Sequence, residues 1–132
     1  MTSDITTRLI NMCKDASMIQ SKAGYKLGDR VIVLMDNDLD VIIAPNMHVK
    51  MSDNATSIPF GSIPKEFVVW IPTIGYCQEL TRLHTKPFIK ALHDFSETTY
   101  GEMFDTIDEI VFAMMMMHRY SEYWLGNEWV MI

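Results

Sequence analysis

The chain has 132 residues, 48% of them hydrophobic and 21% charged, with a formal net charge of −6. That length supports one core without disulfides or metals, and high apolar content with modest charge excludes a disordered chain. The acidic balance disfavours direct contact with nucleic acid, where affinity comes from Lys and Arg displacing counterions from phosphates.

Residues 3–21 carry apolar side chains at Ile5, Leu9, Met12, Ala16 and Ile19, with Arg8, Asn11, Lys14, Asp15 and Gln20 between them. That period predicts one amphipathic helix, capped by Ser3 or Asp4 and followed by Gly24. From Arg30 the period changes. Val31 to Met35 and Val41 to Ala44 are β-branched runs separated by Asp36-Asn37-Asp38-Leu39-Asp40, which predicts an antiparallel hairpin over 30–45. Both runs are apolar on both faces, which predicts a central, doubly covered position, and Pro45 ends the second. Residues 46–64, which include Asn46, Ser52, Asp53, Asn54, Ser57, Pro59, Gly61 and Pro64, hold no period and read as a long loop with one strand near Met47 to Met51. A third strand is expected over 66–71, closed by Pro72.

Thr73 caps a predicted helix running to about His84. Thr85, with Pro87 in the first turn, opens another that buries Phe88, Ala91, Leu92 and Phe95. Thr106-Ile107-Asp108-Glu109 is a capping box, and the helix it starts is expected to reach about Tyr123. Carboxylates at its start and His118 with Arg119 near its end suit the macrodipole. Gly126 is expected to cap it, and Glu128 to Ile132 to return as an edge strand. The fold class is therefore α+β, a small antiparallel sheet (hairpin 30–45 plus strand 66–71) packed with about four helices in one compact domain, 1–132.

Motifs for chemistry are missing. Asp36, Asp38 and Asp40 begin an EF-hand pattern, but its sixth and twelfth positions hold Val41 and Met47 instead of Gly and Glu. His48, His84, His93 and His118 have no metal-ligand spacing, so neither metal nor cofactor is expected. There is no G-x-S-x-G, P-loop or G-x-G-x-x-G, and the adjacent carboxylates Asp108 and Glu109 read as an exposed helix start, so no catalytic residue is assigned. Cys13 and Cys77 read as small buried hydrophobes. The start of the sequence has no signal-peptide pattern, and the longest apolar run, Ile110 to Met117, is far short of the ~20 residues that span a bilayer. No membrane contact and a cytoplasmic location follow as expectations.

Three features invite a partner. Between Asp94 and Glu109 stand six carboxylates and no Lys or Arg, which suit either a basic partner or a solvated surface with helix-start carboxylates. Met114 to Met117 places flexible thioethers on every side of one helix, which suits either an adaptable core or a repackable contact surface. Tyr100, Phe104, Tyr120, Tyr123, Trp124 and Trp129 cluster late, and such aromatics suit interfaces as well as cores. Asp94, Glu97, Glu102, Tyr120, Tyr123 and Trp124 are therefore the candidate partner- or ligand-binding residues, with Tyr120, Tyr123 and Trp124 expected to meet the 46–64 loop.

Val69-Trp70-Ile71-Pro72-Thr73 leading to Gln78-Glu79-Leu80, and Met117-His118-Arg119-Tyr120 followed by Trp124-Leu125-Gly126-Asn127-Glu128-Trp129-Val130, resemble small proteins of phages and prophages in Gram-positive bacteria. The resemblance covers the last half of the chain and brings no catalytic residues with it. It implies a non-enzymatic protein that binds and inhibits a host protein in the host cytoplasm. The alternatives are a homo-oligomeric binder of a small molecule such as a nucleotide, which needs Lys22, Lys26, Arg30, Arg82, Lys86 or Lys90 to converge on phosphates, and an enzyme of unrecognised type.

Overall fold

Short apolar runs and two well-capped helices dominate the computed structural model, which describes residues 5–34, 38–50 and 57–131. The class is α+β: among the described residues stand five α-helices, four of them longer than a single turn, and small antiparallel sheets of two or three strands. The chain divides into two compact units, residues 16–71 and residues 1–15 with 72–132.

The unit 16–71 opens with the one-turn helix α2 (Ser17–Gln20) and holds four strands, β1 (Arg30–Val33), β2 (Leu39–Ile42), β3 (His48–Lys50) and β4 (Ser57–Pro59), before closing on β5 (Val68–Ile71). The hairpin 30–45 forms as expected, with Arg30 opposite Ile42 and Val33 opposite Leu39, and β5 pairs with the other side of β1. Only β1 is central. Val31, Ile32 and Val33 are all buried, whereas β2 is an edge whose side chains alternate and whose Ile42 is exposed. Arg30 and Asp40 bridge the two strands at 2.6 Å, which gives one of the three hairpin aspartates an ion-pair role. Asp36 lies outside the described residues. Gln20 ties α2 to β5 through a paired amide contact. Its Nε2 donates to the Trp70 carbonyl at 2.8 Å, and the Trp70 N–H donates to its Oε1 at 2.9 Å. The stretch 46–64 carries a short hairpin, His48 opposite Pro59 and Lys50 opposite Ser57, so its described part is more ordered than its composition suggests. Residues 51–56 lie outside the described residues.

The other unit begins with α1 (Thr7–Asp15) and continues with α3 (Ile74–Thr81), α4 (Thr85–Ser96), α5 (Ile107–Tyr120), β6 (Glu122–Trp124) and β7 (Trp129–Met131). The predicted helix over 3–21 is thus two elements, broken at Ala16, whose backbone leaves the helical region at φ −83° and ψ 76°. Ser3 and Asp4 lie outside the described residues, and the Leu9 N–H donates instead to Thr6 Oγ1 at 3.0 Å. Thr73 caps α3 as expected, but Arg82 in a left-handed conformation ends it before His84. The N-cap of α4 is His84, so Thr85 is already inside that helix.

The hydrophobic centre of this unit is α5. Val111 to Met116 are all buried, and the helix packs most extensively on α3, with α4 and α1 beside it. Thr106 Oγ1 accepts from the Glu109 N–H at 3.2 Å, one half of the capping box. The other half is displaced by one residue, Glu109 Oε1 accepting from the Asp105 N–H at 3.0 Å. The helix stops at Tyr120 because Ser121 turns left-handed (φ 55°) and frees residues 122–124 to pair with 129–131. Gly126, at φ 100°, belongs to the turn of that hairpin and caps no helix. Among the described residues no helix is long and apolar enough to cross a membrane.

Candidate functional site

The acidic stretch is not an open field of carboxylates, because residues distant in sequence answer several of them. Glu109 is fully buried, which corrects its reading as part of an exposed helix start. Arg8 reaches it from α1: Nη1 lies 3.1 Å from Glu109 Oε1 and 3.1 Å from Asp105 Oδ2, and donates to the Met103 carbonyl at 2.6 Å. Thr6 Oγ1 donates to the second oxygen of Glu109. The sequence shows no basic residue nearby because the cation comes from the far end of the chain. On α4 and its C-cap, Asp94 pairs with Lys90 at 2.9 Å and Glu97 with His93 at 2.8 Å, both exposed contacts at the helical i, i+4 spacing. The hydrogen bond and charge of Lys90 hold the Asp94 carboxyl below its ordinary range. Glu102 is exposed.

The candidate aromatics separate by depth. Trp124 is 1% exposed, its ring 5.2 Å from that of Trp129, so it is a core residue and cannot present a contact surface. Tyr120 and Tyr123 are half-buried, and the Arg119 guanidinium lies 5.3 Å from the Tyr120 ring centre. Tyr120 Oη and Trp124 Nε1 are buried polar atoms for which the described residues offer no hydrogen-bond partner.

Tyr123 and Asp94 do come together. They line a groove of about 530 Å³, to which α4 contributes Ala91, Asp94 and Phe95, the following turn Thr98 and Tyr100, α5 Met114, Met117 and His118, and β6 Tyr123. Tight local geometry sets one wall. Thr98 Oγ1 donates to the Phe95 carbonyl at 2.7 Å and accepts from the Gly101 N–H at 3.0 Å, folding the chain sharply after α4. A Cβ at Gly101 would stand 1.9 Å from the Phe95 oxygen, so this approach requires glycine. The turn delivers Tyr100 among Phe95, Phe104 and Tyr123, at ring separations of 5.7, 5.2 and 5.3 Å. The Trp124 N–H donates to the Tyr100 hydroxyl, which locks the ring to β6. Burial raises the Tyr100 phenol above its ordinary value, the Trp124 hydrogen bond opposing, so the group stays neutral.

The methionine run divides between core and groove. Met115 and Met116 are fully buried, while the half-buried Met117 lines the groove and Met114 forms its floor. The sequence marks Asp94 and Tyr123 as candidates here and places Tyr100 in the late aromatic cluster, but gives Phe95 and His118 no binding role. The i, i+4 spacing of Met114 with His118, and of Ala91 with Phe95, is the signal that could have found that face.

A second cleft, about 460 Å³, lies where α3 passes into α4 and is lined by Gln78, Glu79, Arg82, His84 and their neighbours. Of the cations that phosphate binding requires, Arg82 lines it; Lys86 does not, Lys90 is paired with Asp94, and Arg30 with Asp40.

Cys13 and Cys77 are free and buried. Burial is the main cause that raises both thiols, Cys77 to about 12, with Asp108 and, for Cys13, Cys77 adding to it. Neither is a nucleophile in the folded state. Among the described residues no cluster of His, Cys, Asp and Glu could hold a metal ion.

No protein family, curated protein or solved structure matches the chain.

Proposed function

We propose that the protein is a non-enzymatic binder that captures, and thereby inhibits, a protein of a bacterial host through the groove between α4, α5 and β6. The observation that carries this reading is the groove itself. An apolar floor of Phe95, Met114 and Met117, aromatic walls of Tyr100 and Tyr123, and a carboxylate at the mouth form a concave surface of the size that takes a side chain or a small ligand. Tyr supplies apolar area with a polar tip at low entropic cost, and Met adapts its shape to what it meets. The resemblance of the C-terminal half to phage proteins supports a host protein as the target, met in the host cytoplasm.

The test is native mass spectrometry of the tagged chain recovered from a bacterial lysate, run beside Met117→Glu, which places a charge in the half-buried apolar lining of the groove. A partner recovered with the natural sequence and lost from the variant supports the reading. Equal recovery by both chains overturns the groove as the contact.

The second cleft favours one alternative, a small anionic ligand held by Arg82, with self-association completing the site. Its check is a thermal-shift panel of nucleotides, since a ligand that binds only the folded state raises Tm by mass action. A flat panel removes it.

A further inference from the structure

We propose that the groove reads one arginine side chain, carried on an exposed basic segment of the partner protein. Its guanidinium would meet Asp94 at the mouth and the Tyr100–Tyr123 ring pair inside. The inference rests on the reading of the groove as a capture surface and specifies what it recognises.

Charge complementarity selects the occupant. The chain is acidic overall, and residues 51–132 hold eleven acidic side chains against five basic ones. Asp94 lines the groove, Glu97 stands at the C-terminal cap of α4, and Glu102 is exposed just past the turn. His118 is the basic group on the opposite wall. Asp94 already shows the contact required, since Lys90 Nζ lies 2.9 Å from its Oδ2. Both members of that pair are largely exposed, and exposed pairs are weak, so one cation replaces another at little cost.

The rest of the lining distinguishes arginine from other side chains. Tyr100 and Tyr123 stand 5.3 Å apart at 60°, so a planar group can lie on one ring face while meeting the edge of the other. Guanidinium is planar, weakly hydrated and disposed to stack on aromatic faces, whereas a lysine ammonium is compact and holds its water. The two thioethers, Met114 and Met117, give the three-carbon stem an adaptable apolar channel. A purely apolar side chain would leave the Asp94 carboxylate unanswered by the partner.

The experiment uses the full chain with its methionine methyl groups 13C-labelled, Met114 and Met117 being assigned from their Leu variants. N-acetyl-arginine amide and the neutral isostere N-acetyl-citrulline amide are titrated in parallel. The expected result is that the Met114 and Met117 methyl signals move with arginine and stay still with citrulline. Asp94→Asn, a substitution at an exposed position, should weaken the arginine response about fivefold, the worth of one modest charged contact. Equal movement with both compounds, or none with either at the solubility limit, overturns the assignment. If Met117→Glu abolishes partner capture while the two compounds act alike, arginine recognition falls and the capture reading stands. An arginine-specific response with capture untouched by Met117→Glu supports the arginine site and overturns the capture reading.

Discussion

Glu109 shows how a single carboxylate can organise a whole segment. It is fully buried, yet both oxygens are answered by Arg8, Thr6 and the Asp105 N–H. Removing one partner of a buried ion pair leaves an uncompensated charge, a loss of ~3–5 kcal/mol in a fully desolvated site. Arg8 is 38% exposed, so Arg8→Ala is expected to cost less, about 2–3 kcal/mol, read from urea denaturation. Asp105→Ala should cost far less, since that carboxylate is 75% exposed. Cys13 and Cys77 make a second residue-scale prediction. Their thiols ionise above the ordinary value of 9.0 when folded and near it when unfolded, so above pH 9 the unfolded chain binds fewer protons than the folded one. Stability is fully present below that pH and falls as it is exceeded, by about 1.4 kcal/mol per pH unit for each thiol. The doubly substituted Cys13→Ala, Cys77→Ala chain should lose less stability between pH 9 and alkaline conditions, measured by chemical denaturation at each pH. Parallel curves for the two proteins would contradict the burial of the thiols.

Among the elements, those with strong local signals were legible from sequence and those fixed by distant packing were not. Thr106 and Glu109 announced the start of α5, and Thr73 that of α3, because a cap is a contact within four residues. The end of α5 was hidden. Met114 to Tyr123 has a continuous helical character, and Ser121 is an unusual residue for the left-handed position that stops it. Ser121→Gly should therefore stabilise the chain by about 1 kcal/mol, seen as a raised Tm, since glycine adopts φ 55° without a Cβ penalty. Gly101→Ala should act in the opposite direction, because the new methyl meets the Phe95 carbonyl and the turn after α4 must open. A loss of about 2–4 kcal/mol is expected, with a changed near-ultraviolet signal from Tyr100. The break at Ala16 has no local marker, Ala being a good helix former. Half of the groove was legible for the same reason. Exposed, charged Asp94 and late Tyr123 stand out in the sequence, whereas Trp124 resembled them and proved to be core, its burial decided by Trp129 across the β6–β7 turn.

For the molecule as a whole, charge distribution sets how partner capture should respond to conditions. The carboxylates on and beside the groove mouth are exposed, so their attraction is screened as the Debye length shrinks from about 30 Å at 0.01 M salt to about 3 Å at 1 M. Recovery of the captured protein should fall steadily over that range, and recovery independent of salt would show that apolar contact alone holds it. One feature of the chain's layout bears on its birth. The α1 helix belongs to the same unit as residues 72–132, and its Met12 carbonyl accepts from Trp129 Nε1 at 2.9 Å, a contact spanning 117 positions. On the ribosome, α1 emerges before residues 72–132, the part of its unit against which Leu9, Met12 and Cys13 are buried. Residues 16–71 are complete much sooner. Synthesis therefore leaves an amphipathic helix unsheltered while residues 16–128 are made, and a chain cut short before Trp129 should meet chaperones and proteases with that helix still bare.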